Sequence, residues 1–350
     1  MVALKIAING FGRIGRNLLR AYLTQPAKFA KIRIVAINDV ADADVLLHLL
    51  KFDSTHGRLR DDGIVATIID QDGQIFLQCQ YLDSQQTVQI ALLNQASPEQ
   101  LPWRAFGVDL VLECTGLFRS YVDASRHLQA GAEQVIIGAA PFDEVDASIV
   151  LGVNDQLLTR NLPIISGVSC TTQALVPLLS VLDERYGIDS AMMTEIHAVT
   201  ADQSVLDQAH RDLRRARASN HNIIPTTSSS INATVRVLPQ MQGKINGHSI
   251  RVPTINVAAI DLTVKFAQSV SVQMARELLQ AASCTSLQGI MDYTDEPLVS
   301  SDFIGNPHSL IIDGQQMMMS GDLLKIFAWY DNEWGYANRL LDMCQILANQ

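Results

Sequence analysis

The sequence predicts an α/β chain in two parts: an N-terminal doubly wound parallel sheet, then an α+β domain whose sheet is mostly antiparallel. Three observations carry this. In the first half short apolar runs alternate with helix-period segments, the pattern of strand–helix–strand units on a parallel sheet. In the second half long strand-like runs have few helical crossovers, which favours antiparallel pairing. The 350 residues, 48% hydrophobic and 18% charged, are enough for two packed cores.

The chain opens Met1-Val-Ala-Leu-Lys-Ile6, strand-like where a cleavable leader would carry a charged segment. Leu4–Ile8 is a short apolar strand, and Asn17–Leu23 has helical spacing. Between them Gly10, Gly12 and Gly15 fit G-x-G-x-x-G in the order strand, turn, helix. Such glycines let backbone approach a pyrophosphate, and the helix N-terminus offers it N–H groups, as in the Rossmann fingerprint. A second strand, Ile32–Ile37, ends at Asn38-Asp39, which puts the acidic residue 24 positions after Gly15, close to the roughly 20 expected. A carboxylate there accepts hydrogen bonds from ribose hydroxyls and repels a 2′-phosphate, so the expected cofactor is NAD. Asp39 taken alone would serve equally as a helix cap. Asp-Gly pairs at 62–63 and 72–73 predict hairpins inserted between residues 57 and 93. Val108–Gly116 reads as a buried strand ending in Thr115-Gly116, Tyr121–Ala130 as a helix and Gln134–Gly138 as a further strand. Ligands on such sheets lie beyond the carboxyl ends of the strands, which groups Asp39, Thr115 and Gly116 along one crevice.

Leu162–Ile165 follows as a strand, then a Ser-Gly turn and a helix over Ala174–Leu182, with Pro177 confined to its first turn. Cys170 lies where that helix begins, and the macrodipole there favours the thiolate, the form that attacks. A lone cysteine is more simply a buried structural residue, and its company decides. His197, on the strand Met192–Thr200, is by default a core histidine, but a nucleophilic cysteine needs a base. His210–Arg217 is the one dense positive cluster. Placed ahead of the hydroxyl-rich 222–230 stretch, it predicts an anion pocket where a charge run alone would be a solvated face. Arg251 adds a guanidinium to a strand-like section running to about Phe266; Leu324–Tyr330 is a last strand before a terminal helix.

Composition excludes other roles. Cys79, Cys114, Cys170, Cys284 and Cys344 are scattered singly, without metal-ligand spacing, so neither a disulfide framework nor a metal site is expected. A net charge of −10 argues against nucleic acid or anionic membranes as partners. No apolar run approaches the roughly 18 residues of a membrane span, and the expected compartment is the cytoplasm.

Taken together, Ile8–Arg16, Ser169-Cys-Thr-Thr172, His197, Leu213–Arg217, Arg251-Val-Pro-Thr254 and Tyr330–Tyr336 resemble the glyceraldehyde-3-phosphate dehydrogenase superfamily, in order and across the whole chain. That superfamily includes the phosphorylating glyceraldehyde-3-phosphate enzymes and the erythrose-4-phosphate dehydrogenases. The resemblance implies an NAD-binding domain over residues 1–169 joined by a returning helix at 334–350, a catalytic domain over 170–333, and a homotetramer. It implies that Cys170 attacks an aldehyde and passes through a thiohemiacetal to a thioester, with His197 as base and the Cys170 N–H, beside Ser169, as oxyanion donor. It places the substrate's phosphate on Thr200, Asp202 and Arg251, and inorganic phosphate on Thr171, Arg215, Ser228 and Ser229. It puts Arg13 and Ile14 under the pyrophosphate, and Asn332, with Tyr336 nearby in sequence, at the nicotinamide.

Two departures bear on the outcome. Gln173 replaces the usual Asn after Cys-Thr-Thr, and Thr227-Ser-Ser-Ser-Ile-Asn232 replaces the usual Thr-Gly-Ala-Ala, removing a glycine at the second anion site. The thioester is therefore expected to end either by phosphorolysis, as in glycolytic glyceraldehyde-3-phosphate oxidation, or by hydrolysis, as in erythrose-4-phosphate oxidation to 4-phosphoerythronate. Further readings are a semialdehyde dehydrogenase of the aspartate type and a catalytically silent dinucleotide-binding interaction protein.

Overall fold

The computed structural model describes residues 3–350; Met1 and Val2 lie outside the described residues. The chain divides into two compact units. One comprises residues up to Ile149 with Gln156–Val168 and Ala337–Gln350, the other Val150–Asp155 and Ser169–Tyr336.

The first unit runs β1 (Leu4–Asn9), α1 (Arg13–Thr24), β2 (Ile32–Asn38), α2 (Ala43–Lys51), a small β3–β4 pair (Phe52–Asp53 with Gly57–Arg58) and β5 (Ile64–Gln71). It continues with β6 (Gln74–Tyr81), β7 (Thr87–Leu93), α3 (Trp103–Phe106), β8 (Leu110–Glu113), α4 (Tyr121–Gln129), β9 (Gln134–Ile137), β10 (Ala147–Ser148) and β11 (Ile164–Ser166). Its nine-stranded sheet has the order β10-β11-β9-β8-β1-β2-β7-β6-β5. Parallel pairing holds from β10 to β7, and the chain winds outward both ways from β1, as expected of a doubly wound sheet. Ile6, Ala7 and Ile8 are wholly buried because helices cover both faces of a parallel sheet.

The stretch 57–93 differs in part from expectation. The Asp72-Gly73 turn does join an antiparallel hairpin, β5 to β6, with positive φ at both residues. Asp62-Gly63 instead ends a 3-10 turn, and β5–β7 extend the main sheet because β7 pairs in parallel with β2.

The second unit contains α5 (Cys170–Tyr186), β12 (Ile188–Ala198), β13 (Ile224–Thr226), α6 (Ser230–Val237), β14 (Ile245–Val252), β15 (Ala258–Phe266) and α7 (Val272–Cys284). Then come β16 (Met291–Thr294), β17 (Leu310–Ser320), β18 (Leu323–Tyr330) and the start of α8 (Trp334–Ala348). The seven strands order as β13-β14-β12-β15-β18-β17-β16, antiparallel except at β14–β12 and β17–β16. The expected long strand near 249–266 is two strands, broken around Pro253. Val150–Asp155 belongs here although it precedes Cys170: a Cβ at Gly152 would lie 2.6 Å from Leu287.

Helix α5 begins at Cys170 and not at Ala174, which puts Pro177 in its second turn. Proline there removes the N–H that would bond the Gln173 carbonyl. Burial of Leu175, Val176, Leu178, Leu179 and Leu182, each 0% exposed, offsets that lost bond.

Candidate active site

In the first unit the expected dinucleotide turn joins β1 to α1. Gly10 has φ +93°, and a Cβ on it would lie 2.6 Å from the Thr115 nitrogen; a Cβ on Gly15 would lie 2.2 Å from the Gly10 carbonyl oxygen. Both contacts are with backbone, so only glycine fits. Gly12 has open space where its Cβ would be, and α1 starts without a side-chain cap, leaving its N-terminal end to an external anion. These features fit a pyrophosphate. Asp39 follows β2 with Oδ2 accepting from Phe11 N at 2.7 Å and Oδ1 from Ala41 N at 2.9 Å, which fixes the carboxylate beside the turn. Arg13 engages Asp53 through two nitrogens, at 2.5 and 3.1 Å, and Ile14 is the next residue of α1. Burial would raise the Asp53 carboxyl, but Arg13 and the His56 and Thr55 amides hold it well below the usual carboxylate range.

Beneath Thr115 and Gly116 lies a buried polar network that the sequence reading passed over. Glu113 accepts from Asn9 at 2.6 Å and from the Thr115 amide at 2.8 Å, and it also bonds the Thr115 hydroxyl. Trp103 Nε1 can only donate, so its 3.0 Å contact makes His127 Nδ1 an acceptor and leaves Nε2–H to donate to Glu113, also at 3.0 Å. Asn9 in turn accepts from Asn38 at 2.7 Å. The turns that would hold the cofactor therefore rest on hydrogen bonds between neighbouring strands. A glutamate closing an otherwise apolar strand was the available signal.

In the second unit Ser169 caps α5, its Oγ accepting from the Thr172 amide at 3.1 Å, and Cys170 is the first helical residue. Val168, just before the cap, has φ +50°, a strained value for a β-branched residue. β12 carries His197 on the same face as Met193 and Ala191, and its Nε2 lies 3.6 Å from Cys170 Sγ. His197 Nδ1 lies 2.6 Å from the Ala198 carbonyl oxygen, which can only accept. Nδ1 thus holds the ring proton, and Nε2 turns a lone pair toward the thiol.

Thr171 Oγ1 donates to Glu195 Oε1 at 2.9 Å and lies 2.8 Å from the Tyr330 hydroxyl. Glu195 and Tyr330, neither foreseen as site residues, are 3% and 1% exposed.

Electrostatics correct one expectation. Burial pushes the Cys170 thiol up to about 12, with Glu195 adding to it, and the opposing Thr171 hydrogen bonds and Arg251 charge are smaller. Burial and then the Arg251 guanidinium hold His197 down to about 4. The resting couple is a neutral thiol facing a neutral imidazole. A histidine whose folded pKa is lowered contributes stability above its ordinary value of 6.5, and that stability is lost as pH falls toward 4. Unfolding free energy should accordingly drop across that window, with a component of up to about 1.4 kcal/mol per pH unit that His197→Gln removes. Parallel denaturation curves for the two proteins at pH 6.5 and 4 would contradict this.

Arg251 faces His197 in register across β14, with Nη1 3.4 Å from the Ala198 carbonyl oxygen and a buried Nε lacking any partner. Thr200 follows β12, its amide donating to Gln203 at 3.0 Å. Asp202 binds Arg215 and lies 3.3 Å from His210 Nε2. Arg215 also donates to Thr226 Oγ1 at 2.9 Å and to the Thr227 carbonyl at 3.1 Å. The structure thus ties Asp202, assigned to one anion site, to Arg215, assigned to the other. Two arginines of the positive cluster are paired, Arg217 with Asp207 at 3.3 Å and Arg215 with Asp202.

Ser228 accepts from the Ser230 amide at 3.3 Å, and Ser230 Oγ lies 3.1 Å from Ser169, joining this turn to the cap of α5. Ser229 starts α6 without a side-chain cap bond, leaving its hydroxyl for other use. Asn332 is 7% exposed with Oδ1 buried and unpartnered, a vacant acceptor of the kind a carboxamide N–H₂ would fill; Tyr336 is buried in α8. Among the described residues no group of three or more His, Cys, Asp or Glu is arranged to hold a metal ion, and no helix is long and apolar enough to cross a membrane.

A dinucleotide-type turn on one unit and a thiol held against an imidazole on the other define an NAD-dependent aldehyde dehydrogenase that works through cysteine. Comparison with known proteins narrows the class. Residues 4–121 match the model of the glyceraldehyde 3-phosphate dehydrogenase NAD binding domain, and residues 169–332 that of its C-terminal domain. The chain is 44% identical to a glyceraldehyde-3-phosphate dehydrogenase of Priestia megaterium over 99% of each chain. It is 42% identical to glyceraldehyde-3-phosphate dehydrogenase 1 of Bacillus subtilis, over 100% of this chain and 99% of that one. With glyceraldehyde-3-phosphate dehydrogenase 2 of the same organism it shares 44% identity, over 98% and 96%. The chain belongs to the glyceraldehyde-3-phosphate dehydrogenase family.

Proposed function

We propose that the protein oxidises glyceraldehyde-3-phosphate through a Cys170 thioester and releases the acyl group to inorganic phosphate. The observation that carries this is the 3.6 Å contact between Cys170 Sγ and the unprotonated Nε2 of His197. As Sγ bonds to the aldehyde carbon, the thiol proton passes to Nε2 and on to the carbonyl oxygen, forming a thiohemiacetal. His197 then takes the hydroxyl proton as the carbon is oxidised, and the thioester remains on Cys170. NAD, held by Gly10, Gly12, Arg13, Ile14, Gly15, Asp39, Thr115 and Gly116 with Asn332 and Tyr336, supplies the hydride acceptor. The Cys170 N–H, first in α5 and without an intrahelical acceptor, stabilises the oxyanion.

Arg251, with its unpartnered Nε, and Thr200 receive the substrate's phosphate, and Asp202 orients Arg215. Thr171, Arg215, Ser228 and Ser229 receive inorganic phosphate. Residues 1–169 with 334–350 form the NAD-binding domain and 170–333 the catalytic one, and the protein works in the cytoplasm. A homotetramer is supported by the exposed Val205, Leu206, Leu213 and Ile223 of the 199–223 loop, apolar surface that a neighbouring subunit would cover.

The test is NADH formation with glyceraldehyde-3-phosphate and with erythrose-4-phosphate, each with and without inorganic phosphate. Strict phosphate dependence with the three-carbon substrate is expected, and phosphate-independent turnover of the four-carbon one would replace this reading. Arg251→Ala should raise KM for the phosphorylated aldehyde about 100-fold or more while NAD binding is kept. An unchanged KM would remove the sugar phosphate from that site.

A further inference from the structure

Along β12 the inward positions run Ala191, Met193, Glu195, His197, so a carboxylate occupies a place on a face otherwise built for the core. A buried carboxylate is costly without a partner. Among the described residues no Lys or Arg nitrogen lies within 4.0 Å of Glu195; the basic group at that range is His197, whose Nε2 is 3.9 Å from Oε1.

The hydrogen bonds around Glu195 have a forced direction. Its Oε1 can only accept, so the Thr171 hydroxyl donates to it. Thr171, its one proton spent, must accept from Tyr330. This relay, from Tyr330 through Thr171 to Glu195, holds Oε1 3.9 Å from Nε2, the nitrogen that also faces Cys170 Sγ at 3.6 Å. Other ionisable groups around His197 are Arg251 on the neighbouring β14, Arg215 from the loop that follows β12 and the Tyr330 ring on β18. The two arginines oppose an added proton on the imidazole, and Glu195 favours it.

We propose that Glu195 is a positioning residue for His197, holding the imidazolium in place once the Cys170 sulfur is bonded to carbon. The proposal rests on the thioester chemistry described above. A contact of 3.9 Å is too long for a hydrogen bond and becomes attractive when the ring is charged. While the sulfur is free, moving its proton to Nε2 creates a thiolate as well as an imidazolium. Glu195 repels the first and attracts the second, and the effects oppose each other. When the Sγ–H bond has been replaced by Sγ–C, the sulfur is neutral and only the attraction is left. The carboxylate therefore assists the step in which the thiohemiacetal hydroxyl gives its proton to Nε2 as the carbon loses hydride to NAD.

Glu195→Gln keeps the size and an acceptor for Thr171 but removes the charge. Three measurements on the full chain decide the matter. Alkylation of Cys170 by iodoacetamide at pH 8, without cofactor, should be as fast as in the native protein or faster. The NADH burst with glyceraldehyde-3-phosphate should fall about tenfold or more, and the His197 titration midpoint, read by NMR after carbamidomethylation of Cys170, should fall by about one pH unit or more. Thr171→Val, which frees Glu195 without discharging it, should lower the burst and the midpoint by smaller amounts. A structural role would slow alkylation and burst together, and that result, or no change in the midpoint, overturns the proposal. If the native chain gives no NADH with either sugar phosphate, the proposed function fails, while alkylation and titration still report on Glu195.

Discussion

Cys170→Ser is expected to lose NADH formation by about 10⁴-fold or more while still binding NAD. Serine keeps the α5 start and the neighbouring Ser169 cap, but its hydroxyl is a far weaker nucleophile than sulfur. The alcohol is also a poorer leaving group, so any acyl ester that formed would resist attack by phosphate. The residues assigned to the dinucleotide turn belong to the first unit, so cofactor titration followed by protein fluorescence should give a near-native Kd. Substantial turnover in this variant would mean that some other group captures the aldehyde.

The second large effect is at the base. His197→Asn should lower kcat by about 10²–10⁴ with KM for the aldehyde little altered, because proton removal is needed in the transition state and hardly at all for binding. The rate of Cys170 alkylation should fall as well, since Nε2 is the acceptor facing the thiol at 3.6 Å. Native kcat in this variant, measured across pH 6 to 9, would assign the proton to another group.

Both expectations begin in features that were legible in the sequence. Gly10, Gly12 and Gly15 could be read because their spacing is local, and the strand, turn and helix around them are neighbours in the chain. Cys170 could be placed at a helix start for the same reason. Its meeting with His197 is made by the β12 register; the sequence offered it only as a nucleophilic cysteine's need for a base and as what the family resemblance implies. The Glu195–Thr171–Tyr330 relay was not legible at all. Its members lie on α5, β12 and β18, and Thr171 to Tyr330 is a contact across 159 residues. The Glu113–His127–Trp103 network was missed similarly, since a glutamate at the end of an apolar strand looks like the start of a loop until the strand beside it is known. Pro177 misled through a rule about isolated helices, which a helix with eleven buried residues can override.

The last helix has a consequence for how the protein is made. Ala337, Leu340, Leu341, Met343, Cys344 and Leu347, each fully enclosed, belong to the unit whose sheet is translated first. Lys28 meets Asp342 at 2.9 Å, and Arg160 Nε donates to the Leu347 carbonyl at 3.2 Å. While the ribosome is still elongating, that early sheet carries an uncovered apolar strip, a natural landing place for chaperones. The strip closes only when residues 337–350 have left the exit tunnel, so protease resistance of this portion should rise sharply once they emerge, and a gradual rise before that would argue otherwise.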